Sequence, residues 1–283
     1  MNKNLKKYFP VFVLPTVVAF IIAFVAPFIM GLYLSFTKFI TVKNTTFVGL
    51  DNYIKIFTDQ SHDFQNAFVF TVLFTVVSVI TVNIIAFALA MLLTRGLKGT
   101  NFFRSVFFLP NLIGGIVLGY IWQLLINGVL DLLVNSDITK SSTYGFWGLV
   151  VLNNWQLIGY MMVIYIAGIQ NIPSDLTEAS AIDGASPAKS LFKITIPMVM
   201  PSITICMFLT LTNSFKMFDQ NLALTGGAPG KETQMLALDI YKTFYGRMGW
   251  AGVGQAKAVI FFIIVALIAF IQLRATRSKE VEQ

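Results

Sequence analysis

The sequence predicts an all-α membrane fold of about six spanning helices, and three observations predict it. Hydrophobic residues fill 56% of the 283 positions and charged residues only 12%, whereas a soluble domain carries about 25% charged residues to cover its surface. Mean hydropathy is +0.75. Residues Ala67–Leu93 contain no Asp, Glu, Lys, Arg or His, a run longer than a soluble core requires.

A spanning helix crosses about 30 Å of hydrocarbon at about 1.5 Å per residue, so about 20 apolar residues are needed. The first segment is Val11–Phe36, behind Lys3, Lys6 and Lys7. It resembles a signal peptide, but its apolar run is too long and no small-residue cleavage site follows at the usual distance, so a retained span is expected. The second is Ala67–Leu93. The third, Ser105–Ile126, carries Gly115 and Gly119 at the spacing of close helix packing. The fourth is Phe146–Ile169. The fifth, Ile194–Phe215, starts with Pro197 and Pro201, which shape or kink it. The sixth, Ala258–Leu273, is short; Ala251–Gln255 extends it and Lys257 is expected to snorkel from its edge.

Basic residues orient the chain. With the N-terminus in the cytoplasm, four short segments (the tail before Val11, 94–104, 170–193 and the C-terminal tail) hold eleven Lys and Arg, among them Arg95, Lys98, Arg104, Lys189, Lys193, Arg274, Arg277 and Lys279. The longer opposite loops, 37–66, 127–145 and 216–256, hold eight, matched by eight acids. Both termini are therefore expected in the cytoplasm. The domain reading is one transmembrane body over 1–283, with its core in 67–273, a cytoplasmic loop at 171–197 and an extracytoplasmic loop at 216–256. The net charge of +7 flanks apolar runs instead of forming a stripe, which reads as membrane orientation and excludes a nucleic-acid partner.

The spans are almost free of ionisable groups, which weakens the reading as an ion-coupled carrier. The lone cysteine, Cys206, precludes an intrachain disulfide and a cysteine metal site, and His62 sits in a polar loop, so no catalytic residues, metal or cofactor are expected. Gly226–Glu232 looks superficially like a phosphate loop, but Thr225 stands where its first Gly is required and Glu232 where Ser or Thr is required. Any ATP-driven role needs a separate ATPase. Asn153, Asn154 and Gln156 open the fourth span, while Asn213 ends the fifth, ahead of Lys216, Asp219 and Gln220. Two readings stay open for them: hydrogen bonding between helices, or a hydrated path offering donors and acceptors to sugar hydroxyls.

Residues 171–197 predict two short helices. Asp175 caps the first with Glu178 as its capping-box partner, and Gly184 ends it in the left-handed conformation. Ser186 caps the second, with Pro187 at its first position. The stretch Glu178-Ala179-Ser180-Ala181-Ile182-Asp183-Gly184-Ala185, followed by Phe192-Lys193-Ile194-Thr195-Ile196-Pro197 and Pro201, resembles the EAA motif of ABC importer permeases. Ser180 replaces the third-position Ala and Ile196 replaces Leu. Phe47–Tyr53, Phe107–Pro110 with Trp122, and Leu224–Gly227 with Pro229 and Thr233 resemble the carbohydrate-uptake branch, of maltose or multiple-sugar type. The resemblance implies a type I importer permease in the bacterial inner membrane, carrying a sugar or oligosaccharide. It also implies a second permease subunit, two cytoplasmic ATPase subunits and an extracytoplasmic solute-binding protein. Glu178, Ala179, Asp183, Gly184 and Ala185 would couple to the ATPase, and Leu191 and Phe192 would anchor the loop to its own spans. An ion-coupled carrier or channel and a non-transporting scaffold are the alternatives.

Overall fold

The computed structural model describes residues 3–41, 43–59, 63–96 and 98–277, so His62 and Lys279 lie outside the described residues. In chain order, α1 (Lys3–Phe20) passes through a π-turn (Ile21–Val25) into α2 (Ala26–Leu34), followed by the hairpin β1 (Thr37–Thr41) and β2 (Asn44–Phe47). Next come α3 (Asp51–Thr58), α4 (Asp63–Leu93), α5 (Thr100–Phe108), a 3₁₀ turn (Leu109–Leu112), α6 (Gly115–Val134) and α7 (Ser142–Gln170). Then follow α8 (Ser174–Ile182), α9 (Pro187–Ser190), a second π-turn (Leu191–Thr195), α10 (Ile196–Met198) and α11 (Met200–Phe215). The chain closes with α12 (Asp219–Leu224), α13 (Leu236–Gly246) and α14 (Ala251–Arg277).

Among the described residues, Phe9–Leu34, Asp63–Leu93, Gly115–Val134, Ser142–Gln170 and Ala251–Thr276 are each long and apolar enough to cross a membrane. Pro187–Met198 and Met200–Phe215 pass the same test only as a pair bent by 71°, which brings the total to six if the pair is one span. The third span differs from the sequence expectation. Residues 105–126 are not one helix: Pro110 sits in the tight turn, Gly114 is extended, and the spanning helix runs from Gly115 to Val134. Proline lacks the N–H that a continuing helix needs, and an apolar turn of Leu109, Leu112 and Ile113 is invisible to hydropathy. The fifth span bends at Val199, between Pro197 and Pro201, as those prolines predict.

The described residues fall into two compact units, Met1–His62 with Ile240–Phe262, and Asp63–Asp239 with Ile263–Gln283. In the first, the hairpin pairs antiparallel with Thr37 opposite Phe47. Asn52, buried on α3, donates from its carboxamide to the carbonyls of Ser35 and Thr37, both at 2.8 Å, and so holds the start of the hairpin. Gly252 leaves no room for a side chain beside the same Asn52 amide and Thr37 carbonyl. Lys257 does not snorkel. It is 2% exposed and donates to Thr243 at 2.9 Å, because α14 begins at Ala251 and places Lys257 well inside the helix.

The core of the second unit lies where α4, α7 and α11 meet. Val82, Ala86 and Ala90 of α4, Met161 and Met162 of α7, and Cys206 of α11 are all fully buried there. Helix α7 is the central element: 61% of its spanning window is buried, against 11% for α6. Lipid supplies no hydrophobic force between helices, so close approach and interhelical hydrogen bonds do the work. At Gly159 of α7 an added Cβ would land on the Phe107 carbonyl oxygen. Tyr165 donates to the Asn83 side-chain Oδ1 at 2.7 Å, and the Asn83 Nδ2 donates to the Thr210 hydroxyl at 3.3 Å. Each such bond stabilises by about 0.6–2 kcal/mol in a membrane. The outward faces stay apolar: Ile84 is 64% exposed and Leu132 86%, as suits a surface solvated by acyl chains.

Candidate functional site

Four residues of α7, Asn153, Gln156, Leu157 and Tyr160, recur at the three- and four-residue steps that align on one helix face. This face forms one wall of a cavity of about 410 Å³. The other walls are Asn111 of the 3₁₀ turn, Asn213 near the end of α11, Lys216, Met217 and Phe218 of the following turn, and Asp219 and Gln220 of α12. Six of the seven residues proposed from the sequence as a polar path are thereby brought together: Asn153, Gln156, Asn213, Lys216, Asp219 and Gln220.

Asn154 is the exception. Being next to Asn153, it points about 100° around the helix and donates to the Thr81 hydroxyl of α4 at 2.9 Å and to the Val150 carbonyl at 2.8 Å. It ties two helices together and does not line the cavity. Asn111 and Tyr160 were not singled out from the sequence. Tyr160 could have been, since it continues the Asn153–Gln156 stripe by one turn; Asn111 could not, because it was placed inside a continuous span.

The cavity walls are cross-braced. Gln220 donates to the Gln156 side-chain Oε1 at 2.7 Å, Gln156 donates to the Ile113 backbone carbonyl at 3.4 Å, and Asn153 donates to the Ser214 hydroxyl at 3.3 Å. Five carboxamides, one ammonium and one carboxylate therefore face a common space with an aromatic ring on two sides. This donor set can exchange hydrogen bonds with a polyhydroxylated solute while Tyr160 and Phe218 offer apolar faces.

Helix α12 is held behind this wall by the Gly-rich turn. Asn221 donates to the Thr225 hydroxyl at 3.0 Å and to the Thr233 carbonyl at 2.8 Å, while its side-chain Oδ1 accepts from the Met235 N–H at 3.0 Å. Gly226, Gly227, Gly230 and Lys231 all have positive φ. Lys231 pairs with Asp63 at 2.7 Å. The segment is a locked turn whose lysine is engaged by a carboxylate.

The second candidate is the loop at 171–197. Helix α8 starts at Ser174, behind Pro173, so Asp175 lies in its first turn and does not cap it; the capping-box expectation fails because Pro173 takes the N-cap position, two residues earlier. The C-terminal end is as expected. Gly184 has φ of +69°, the Ala185 N–H reaches the Ser180 carbonyl at 3.0 Å and the Gly184 N–H reaches the Ala181 carbonyl at 3.1 Å, the paired bonds of a Schellman cap. Ser186 accepts from the Lys189 N–H at 3.3 Å and Pro187 opens α9. Glu178, Ala179, Asp183 and Gly184 are exposed and Ala185 is half-buried. Ile182 is 86% exposed. Phe192, expected to anchor the loop, is 66% exposed: the π-turn rotates it off the face that buries Thr195.

A family described as binding-protein-dependent transport system inner membrane component matches residues 86–278, which include both candidates. The chain belongs to this family. The permease is 45% identical over 280 residues to the probable starch degradation products transport system permease protein AmyD of Thermoanaerobacterium thermosulfurigenes, covering 96% of this chain and 94% of that one. It is 28% identical over 291 residues to the multiple sugar-binding transport system permease protein MsmF of Streptococcus mutans, covering 99% of each. Its fold matches a chain of a bacterial ABC transporter involved in the import of the acidic polysaccharide alginate, with a TM-score of 0.83, 18% identity and 98% of each chain covered. The permease is thus a multi-pass inner-membrane transport component, not an enzyme.

Proposed function

We propose that this permease passes a sugar or oligosaccharide through the α7–α12 cavity. In this reading a solute-binding protein delivers the sugar outside, and two ATPase subunits drive the permease together with a second permease subunit. The observation that carries the reading is the convergence of Asn111, Asn153, Gln156, Asn213 and Gln220 on one cavity. Their carboxamides line one shared space, whereas that of Asn154, one residue along from Asn153, is turned to Thr81 of another helix. The relatives named for starch products and multiple sugars support the substrate class.

The chain acts as one permease body over 1–283, with core 67–273. Both termini and the 171–197 loop face the cytoplasm, while 216–256 faces the binding protein. Glu178, Ala179, Asp183, Gly184 and Ala185 form the face that docks on the ATPase. The exposure of Glu178, Ala179, Asp183 and Gly184 supports this, as does the low profile of Ala179 and Ala181 around an outstanding Ile182. A force-bearing contact must bind one conformational state better than the other to drive alternation.

The test is uptake by the assembled transporter in proteoliposomes. Asn153→Ala and Gln156→Ala each remove one hydrogen-bonding amide, about 0.5–1.5 kcal/mol, and should lower sugar uptake roughly three- to tenfold with ATPase assembly intact. Unchanged uptake in both variants would remove the cavity from the path.

A further inference from the structure

Gly115 and Gly119 were read from sequence as a general helix-packing pair, and the structure gives them a particular partner. They lie on the face of α6 that seats α12. A Cβ added at Gly115 would stand 2.7 Å from the Asp219 Cβ and 3.1 Å from the Gln220 Cδ; one added at Gly119 would stand 2.7 Å from the Ala223 Cβ and 3.2 Å from the Gln220 carbonyl oxygen. One turn further along the same stripe, Gln123 donates to the Leu224 carbonyl at 2.9 Å and fastens the far end of α12. The near end carries Asp219 and Gln220 into the cavity. Opposite α6, Gln220 already bonds Gln156 of α7 at 2.7 Å. With no clearance on the α6 side and its C-terminal end tied down, the near end of α12 can yield in one direction, into the cavity.

We propose that Gly115 and Gly119 are positioning residues that set the width of the cavity, and through it the length of saccharide the permease passes. This rests on the reading of the cavity as the substrate path. A methyl group on either glycine pushes Asp219 and Gln220 toward α7 and narrows the space. Removing the Ala223 methyl lets α12 settle closer to α6 and widens it.

The experiment compares uptake of radiolabelled maltose, maltotriose and maltotetraose by the complete transporter in proteoliposomes. Gly119→Ala should lower maltotetraose uptake relative to maltose by on the order of tenfold, the low end of what a methylene-sized change does in a pocket. Ala223→Gly in the same chain should restore the ratio, since it removes the atom the new methyl meets. Ala223→Gly alone should shift the ratio toward the longer sugar, and this variant keeps the question answerable if Gly119→Ala does not assemble. A length ratio that stays at the wild-type value in Gly119→Ala and in Ala223→Gly, or a loss equal for all three sugars, overturns the proposal and leaves the seam as ordinary helix packing. Gln156→Ala and Asn153→Ala are measured alongside: if either changes uptake and the glycine variants do not shift the ratio, only the width proposal falls. If neither Gln156→Ala nor Asn153→Ala changes uptake, the substrate path falls and the width proposal with it.

Discussion

In the 171–197 loop, each feature is made by residues a few positions apart. Ser180, Ala181, Gly184 and Ala185 build one cap among themselves, and Ser186 with Lys189 builds the next. In the cavity, the walls come from the 3₁₀ turn, α7, α11 and α12, and Gln156 and Gln220, which touch, are 64 residues apart. The first region is a local shape that presents exposed side chains; the second is a tertiary shape whose walls run from buried Asn153 and Gln156 to exposed Asn213 and Lys216. Local shapes fail at a single backbone position, whereas tertiary ones degrade by graded loss of contacts.

The largest effect should therefore come from the loop. Gly184 has no neighbour within 4 Å, so a side chain there meets open space, and the obstacle is its φ of +69°. A β-branched residue is an outlier in that region, at a cost of about 1–2 kcal/mol. Gly184→Val should abolish ATP-driven uptake while the chain still inserts, because the cap that aims Asp183 and Ala185 is lost. Gly184→Asn, which tolerates the left-handed region, should retain most uptake. If Val and Asn behave alike in a transport assay, backbone conformation at Gly184 is not what coupling depends on. A bulky residue at exposed Ala179 tests the docking face separately, and should reduce ATPase association measured by co-purification.

Local construction is also why the loop was legible in the sequence and the cavity only partly so. Gly184, Ser186 and Pro187 each announce a backbone requirement that holds whatever the loop packs against. Asn153, Gln156, Asn213, Lys216, Asp219 and Gln220 announce polarity at the ends of apolar runs, but polarity does not say which of them share a space. That needs the helix phase, which separates Asn153 from Asn154, and the break at Pro110, which brings Asn111 to the wall. Hydropathy averages over both. The same averaging hid the burial of Lys257, whose partner Thr243 lies on another helix.

Asn153 and Asn154 sharpen the contrast, since they are adjacent in sequence and assigned different work. Asn153→Ala should lower sugar uptake and, because it gives up the 3.3 Å bond to Ser214, cost some thermal stability of the purified permease as well. Asn154→Ala should cost stability alone: it strips the Thr81 hydroxyl of a partner between α4 and α7, for about 0.6 kcal/mol, up to about 1.7, and should leave the apparent affinity for sugar unchanged. Equal effects of the two variants on affinity would erase the distinction between a cavity amide and a helix-joining one.

The smallest effect belongs to a third segment, built locally like the 171–197 loop but assigned no contact with a partner. Between α6 and α7, the Asp137 carboxylate accepts from the Thr139 hydroxyl and from the Thr139 N–H at 2.8 Å, while the neighbouring Ile138 is fully buried and donates its N–H to Asn127 at 2.9 Å. The Thr139 hydroxyl first, and its N–H second, hold the Asp137 carboxyl below the usual carboxylate range. A carboxyl depressed by folding adds stability that is fully present above its unfolded pKa, near pH 4, and is lost as pH falls through the lower folded value. Asp137→Asn should therefore lower the thermal midpoint slightly at neutral pH, and the two melting curves should converge in acid. Sugar uptake should be unchanged throughout. A gap in melting that persisted in acid would mean the turn is held by shape and not by the charge on Asp137. A loss of uptake would mean that a locally built turn on this side of the chain also carries a partner.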